Sequence, residues 1–494
     1  MKRFIHYSIS IAFILFVGQS YGQSTRWYKC YGNSGYDYAR DVKEDNDTGY
    51  VVTGSSTSFG ADNSEAYLLK LNKMGEFQWS RNYGGPGSEW GESMVITNDS
   101  TYAIAGYTNS YGAGGFDFYL IRIDEGGEPL WEQYYGGADW DRAFGLIQLP
   151  DSGFVMAGET YSFEPGKQEG YIIRTDKNGD VIWEYVIDDV APSFLKDIDL
   201  DGDSIVVCGG IGDGGYDTYD GYVAKFHIDG TFGWDKRIGE EHNDYFNAVC
   251  VEGGLYNLGG VNGYEYIDEG DNMWLYRMDD IGTEVIDTVY PTLSPRTDGI
   301  NDVDVRDFDL DYYHTGYSVS WGYGEIDGEP DLFIGKLAMA GFQLGAQNYG
   351  HAGPDVGHAI HYCRDGGVVI AGDTKFFATG GNNIMVIKMN ILWERFEGDE
   401  GDIFSFVEYD YITSSITSYA ELNDVTVYPN PFNDVIQIPE IAQGMFSIYS
   451  ADGKLVVQET KYSQLIDLSD LASGTYILVI ESEGEIHRSR IVKK

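Results

Sequence analysis

The stretch Ala143 to Tyr185, AFGLIQLPDSGFVMAGETYSFEPGKQEGYIIRTDKNGDVIWEY, decides the fold. Turn residues break it into four short apolar or alternating runs: Ala143 to Leu149, Phe154 to Glu159, Tyr171 to Thr175 and Val181 to Tyr185. Pro150 to Gly153 and Asp176 to Gly179 are tight-turn sequences, and a longer polar loop joins the second run to the third. Helices would space their apolar residues by about 3.6, which these runs do not. The unit therefore reads as four antiparallel strands. Such a sheet cannot bury both faces alone, so it must stack on copies of itself.

Copies are present. Trp27, Trp79, Trp131, Trp183 and Trp234 recur at about 52 residues, and Ile286 continues the step. A glycine ends an apolar strand at Gly54, Gly106, Gly158, Gly209, Gly259, Gly316 and Gly372. An apolar strand carrying a basic residue recurs in Tyr67 to Leu71, Tyr119 to Ile123, Tyr171 to Thr175, Tyr222 to Phe226, Trp274 to Met278, Phe333 to Leu337 and Met385 to Met389. These markers predict an all-β chain whose residues 23–394 form a seven-bladed β-propeller. The first strand, Trp27 to Tyr31, enters at the position of a fourth strand. It is expected to close the ring on the last blade, with Ile391 to Phe396 as the competing segment.

Composition agrees with this architecture. The 494 residues include 65 Gly and 40 Tyr but only 12 Pro, and 43% are apolar against 22% charged, as in folded proteins rich in short strands and turns. A formal charge of −47 repels phosphate backbones and anionic lipid, which argues against a nucleic-acid partner.

Both ends differ from the repeats. Residues 1–22 join Lys2 and Arg3 to an apolar run from Ile9 to Val17 and end in Ser20-Tyr21-Gly22, the pattern of a signal peptide cleaved before Gln23. No stretch has the length of a transmembrane segment. Residues 395–423 have the acidic and Ser/Thr-rich composition of a linker. Beyond them, 424–494 read as a small C-terminal β-sandwich with strands at Val425 to Tyr428, Val435 to Ile438, Phe446 to Tyr449, Lys454 to Val457 and Tyr476 to Ile480.

Four ordered motifs in that last segment carry a resemblance: Tyr428-Pro429-Asn430-Pro431, Asp452-Gly453-Lys454, Gly474-Thr475-Tyr476 and Ile491-Val492-Lys493-Lys494. They resemble the type A C-terminal sorting domain of the type IX secretion system. The resemblance implies Bacteroidota-type export through the periplasm, the type IX secretion machinery as a partner, and release or attachment at the outer cell surface after the domain is removed. The mature form is then expected to begin at Gln23 and to end near Asn423. The repeat pattern Trp-x-x-x-Tyr-Gly-Gly, clearest from Trp79 to Arg174, resembles the seven-bladed propeller repeats of secreted bacterial proteins and implies an architecture without an activity.

Catalytic motifs are scarce. The one Gly-x-Ser-x-Gly lies inside the leader, Gly18 to Gly22, and no His-Glu-x-x-His, phosphate loop or Cys-x-x-Cys occurs. His351, His358 and His361 gather before Cys363, as zinc ligands or as polar residues near the channel. Asp197 to Gly202 mimics the opening of a calcium loop but falls where the repeat places a hairpin. Calcium is the ion retained as possible, and no resident cofactor is expected. Cys30, Cys208, Cys250 and Cys363 fall in separate blades or on separate strands and are expected to stay free.

Two periodic features remain as ligand-binding candidates. Acids precede the marker glycine in Asp37, Glu89, Asp141 and Asp355, either to meet a ligand or to cap turns. Aromatics follow it in Phe59, Tyr111, Phe163, Tyr264, Trp321 and Phe377, either to stack on a glycan or surface protein or to pack loops. A noncatalytic binding propeller is the expected function. The alternative is a polysaccharide-degrading enzyme, which would need a pair of carboxylates in a cleft.

Overall fold

The computed structural model describes residues 27–33, 35–58, 63–164, 166–188, 191–212, 218–239, 243–264, 270–290, 299–305, 312–318, 331–337, 343–349, 353–375, 381–389, 435–437, 443–450, 455–463, 465–469, 471–472, 474–482 and 485–494. The leader, the linker, Ile391 to Phe396 and Pro429 to Pro431 lie outside them. Two compact units divide the chain, Met1–Ser414 and Ser415–Lys494.

Among the described residues, unit one holds seven four-stranded antiparallel sheets. Six are consecutive meanders, beginning at Asp37, Glu89, Asp141, Ser193, Tyr245 and Gly299; we number these blades one to six. Blade seven joins Asp355–Tyr362, Val368–Thr374 and Asn383–Met389 to the N-terminal strand Trp27–Tyr31. That strand runs antiparallel to the last one in the register Trp27 to Lys388 through Tyr31 to Ile384, as its position in the repeat predicts. The first strand of each blade packs on the first strands of its neighbours, and that of blade seven packs on that of blade one. These seven strands therefore surround the axis.

Each sequence marker has a physical cause. The glycine near the end of the second strand faces a β-bulge in the first: a Cβ on Gly54 would lie 1.8 Å from the carbonyl oxygen of Tyr38. Gly106 stands in the same relation to Trp90, at 1.7 Å. In blade five the residue opposite the bulge is Gly260, one place beyond the expected Gly259. The basic residue of the third strand reaches the acid of the first hairpin, Lys70 to Asp47 at 2.8 Å, Arg122 to Asp99 at 2.6 Å and Arg174 to Asp151 at 2.6 Å.

Trp-x-x-x-Tyr recurs because both side chains reach the third hairpin of the next blade. Trp27 Nε1 donates to the carbonyl of Lys73 at 3.2 Å, Trp183 to Ile228 at 3.1 Å and Trp234 to Asp280 at 3.3 Å. The hydroxyls of Tyr31, Tyr83 and Tyr135 donate to the carbonyls of Gly75, Gly127 and Gly179. Gly75 adopts a φ of 71°, with the Trp27 ring where a Cβ would stand.

The four cysteines are free. Burial pushes the Cys30 thiol up to about 12 and raises those of Cys208, Cys250 and Cys363, so none is primed as a nucleophile.

Among the described residues of unit two, six strands follow the hydrogen-bonded order Val435–Gln437, Leu465–Asp467, Leu455–Ser463, Gln443–Ser450, Gly474–Ser482, Glu485–Lys493. The order turns a corner at the single pair Ser463 to Leu465, so the short strands carrying Ile436 and Ile466 pack on the longer ones, as the expected small sandwich requires. Ile436, Phe446, Ile448, Ile466, Tyr476, Leu478 and Ile491 form its core. Two of the recurring motifs are structural here: Tyr476 OH donates to the Ala472 carbonyl at 2.9 Å, and buried Lys493 donates to Leu468 at 2.7 Å. Gly474 opens the Tyr476 strand, and Lys494 is exposed.

Candidate functional site at the axial mouth

A bulge in an inner strand pushes one residue out of the ladder. The seven skipped residues are Arg40, Glu92, Phe144, Lys196, Asn247, Asn301 and His358, one from each blade. Their contacts cross blade boundaries. Arg40 lies 3.5 Å from Glu92, 2.9 Å from His358 Nε2 and 3.8 Å from Asp373, and His358 Nε2 lies 2.8 Å from Asp373. Asn247 and Asn301 donate to the carbonyls of Ile300 and Gly357 in the next blade, at 2.9 and 2.7 Å. Lys196 Nζ sits 4.0 Å over the Phe144 ring and 5.5 Å over Phe194.

Around this ring of residues lies a belt of aromatic side chains. It runs from Tyr36 to Tyr38, Trp90 and Tyr107, with successive centroids 6.4, 5.8 and 6.0 Å apart. Tyr107 meets Phe116 and Phe144, Phe116 meets Trp140, and Phe194 meets Tyr219 and Tyr245. Arg142 lies over both Trp140 and Phe144 and pairs with buried Glu159. Tyr36 and Trp140 are 51% and 48% exposed, so the belt opens to solvent. The loops between second and third strands and those between blades meet on this side, as Asp141 N to Phe116 O at 2.6 Å and Tyr161 N to Trp140 O at 2.8 Å demonstrate.

Deeper along the channel, a layer of carboxylates stitches blades together. Asp41, Asp197 and Asp302 each accept the next N–H of their own strand and one from the following blade: Met94, Val249 and Ile360, at 2.8 to 2.9 Å. Asp199 and Asp304 repeat the pattern with Val251 and Tyr362. The Asp197 to Asp201 segment considered for calcium is therefore strand, with Asp201 engaged by Lys225 and Tyr256. Burial raises Asp197 to about 7 and Asp199 to about 6, outweighing the N–H bonds that favour ionisation. For Asp304 burial also opposes ionisation, but His361, 3.3 Å away, and the Tyr362 N–H prevail and hold it low.

A pH dependence follows. A carboxyl raised by folding stabilises the protein fully below its unfolded value of 3.8, and that contribution is lost as pH rises through about 6 to about 7. The double substitution Asp197→Asn, Asp199→Asn is expected to flatten the fall of melting temperature over that window. Thermal melts of both proteins between about pH 4 and about pH 8 check it, and parallel curves would refute it.

The periodic candidates fall elsewhere. Asp37, Glu89 and Asp141 are buried and accept from serine and threonine hydroxyls and turn N–H groups: Ser58 and Asn33 for Asp37, Thr108 and Gly85 for Glu89, Ser162 and Gly137 for Asp141. Asp355 is buried at the same strand position. Asp37, Glu89 and Asp141 cap turns beneath the surface. Tyr111 and Phe163 are exposed but lean on Tyr134 and Tyr171 of their own blades, at 5.1 and 5.2 Å. Phe59, Trp321, Phe377 and the Tyr264 side chain lie outside the described residues, as does His351. His361 pairs with Asp304 and His358 with Asp373, while Cys363 is buried in a separate apolar cluster. Among the described residues the one group of acids close enough to share an ion, Glu164, Glu169 and Asp188, surrounds Lys167.

The mouth was missed for a definite reason. Tyr38, Trp90, Arg142, Phe194 and Tyr245 recur one residue after the capping position, a signal present in the sequence but masked by an arginine in their midst.

Comparison with known proteins adds the address. Residues 426–494 match the model of the secretion system C-terminal sorting domain. No curated protein matches the chain in sequence. Among solved structures it is similar to PorZ, described as an essential bacterial surface component of the type IX secretion system of Porphyromonas gingivalis, at 12% identity and a TM-score of 0.41. That alignment covers 94% of this chain and 60% of PorZ. The β-propeller domain of the Trilobed protease from Pyrococcus furiosus aligns at 13% identity and a TM-score of 0.41, covering 73% of this chain and 96% of that one. A protein of unknown function from Dyadobacter fermentans aligns at 11% and 0.43, covering 73% and 97%. Among the described residues no helix is long and apolar enough to cross a membrane. The chain is a β-propeller protein that carries the C-terminal sorting domain of the type IX secretion system and is exported by that route to the cell surface or the extracellular space.

Proposed function

We propose that the propeller is a noncatalytic binding module that seats a glycan in the aromatic mouth of its axial channel. The observation that carries this reading is the belt from Tyr36 through Trp90, Tyr107 and Phe144 to Trp140, an apolar surface kept open at the centre of a strongly acidic protein. Flat rings match the C–H faces of sugars, and the surrounding polar groups can meet hydroxyls. The carboxylates that a hydrolase would need are engaged: Glu92 with Arg40, Glu159 with Arg142, and Asp373 with His358.

Trp90→Ala and Trp140→Ala are each expected to weaken binding of the full-length chain to its best ligand on a soluble-polysaccharide panel by about tenfold. No reducing ends should be released on long incubation. Unchanged binding by both variants would remove the mouth as the site, and steady release of reducing ends would favour the hydrolase.

A further inference from the structure

Three cations converge on the mouth, and two of them are matched by anions. Arg40 has Glu92 and Asp373, and Arg142 has Glu159. Lys196 differs. Among the described residues no carboxylate lies within 4.0 Å of its Nζ, and its nearest described partners are the faces of Phe144 and Phe194. The blade-four bulge fixes its place, since Leu195 and Asp197 stay in the ladder while Lys196 is skipped. Asp197 is occupied with Val249 and Ile198 and does not turn toward it.

We propose that Lys196 receives the carboxylate of an acidic sugar, so that the mouth selects uronate-bearing glycans over neutral ones. This rests on the glycan reading above and specifies its ligand class. The ammonium supplies a charge-assisted hydrogen bond, and the rings of Phe144 and Phe194 border it at 4.0 and 5.5 Å. A uronate couples one carboxylate to a pyranose ring with an apolar face, which suits a cation bordered by aromatic rings. Elsewhere the −47 charge of the chain repels an anionic polymer, so the attraction must be local to this lysine. Burial lowers the Lys196 ammonium below its usual range, only partly countered by Glu159 and Glu92. An arriving carboxylate relieves that penalty.

The test compares oligogalacturonate with its methyl ester, which keeps the ring and removes the charge, by titration calorimetry on the full-length chain. Wild type should prefer the acid by about tenfold. Lys196→Met should bind acid and ester alike, near the affinity of wild type for the ester, and Lys196→Arg should restore part of the preference. Melting curves confirm that each variant is folded; if Lys196→Met is not, Lys196→Gln takes its place. Equal binding of acid and ester by wild type, lost in Trp90→Ala, overturns the uronate inference and leaves the glycan reading intact. Binding of neither sugar, with Trp90-dependent binding of a neutral glycan on the panel, overturns the uronate inference alone, and absence of binding to any glycan on the panel overturns both. A Lys196-dependent preference for free peptide C-termini over both sugars would assign the lysine to a protein ligand and overturn the inference as well.

Discussion

Deleting Trp27 to Tyr31 should abolish the cooperative melt of the propeller. The strand supplies the fourth position of blade seven, so its loss exposes the edge of Asn383–Met389 along its length. It also removes buried Trp27, Cys30 and Tyr31, two of which belong to the cluster shared by blades seven and one. Truncating a buried aromatic costs about 3–5 kcal/mol, comparable with much of the net stability of a typical domain. Trp27→Ala combined with Tyr31→Ala is therefore expected to lower stability severely while leaving the backbone pairing available. Limited proteolysis and thermal melts read the outcome. A deletion variant melting within about a degree of the parent would show that another segment closes the ring.

Ending the chain at Asn423 should leave the propeller folded but confined to the periplasm. The domain removed is the one matched at residues 426–494, and its core and sheet are self-contained among the described residues. Export is expected to fall to background in cell fractions. A subtler variant, Lys493→Met, deprives the buried carbonyl of Leu468, and that of exposed Ser469, of their donor and should cost about 1–3 kcal/mol of domain stability, with a partial export defect. Normal surface or medium levels of the truncated chain would overturn the assignment of the sorting role. Intact mass of the exported protein would then give both termini, expected at Gln23 and near Asn423.

Much of the fold was legible because its repeats obey local chemistry. Trp-x-x-x-Tyr, the strand glycine and the basic residue of the third strand each solve one problem at a fixed place in every blade, so their types recur with their spacing. Strand Trp27 to Tyr31 was placed by the same arithmetic. The mouth obeys the spacing without sharing a chemistry. An arginine, a glutamate, a phenylalanine, a lysine, two asparagines and a histidine occupy its seven bulge positions, so no residue-type pattern reveals them. Conversely, the acids that do recur do so because turn capping is needed in each blade, which is why Asp37, Glu89 and Asp141 are buried. Periodic identity marked scaffolding here, and the departures from it marked the place where blades differ.

The grip of each outer strand on the next blade's hairpin has a consequence for how such a molecule can be cut and rejoined. One repeat carries both a plug, its tryptophan and tyrosine, and a socket, its hairpin carbonyls, so neighbouring units couple head to tail. The two ends of the ring meet inside blade seven, where Trp27–Tyr31 pairs with Asn383–Met389, and the same strand carries both bonds to blade one, Trp27 to Lys73 and Tyr31 to Gly75. The ring is in effect a covalent necklace with a single nick, and a full strand of backbone pairing closes it. A circular permutant that sews the old ends together and opens the loop before Glu89 or Asp141 would move the nick from within a blade to a junction between two, held there by Tyr83 to Gly127 or by Tyr135 to Gly179.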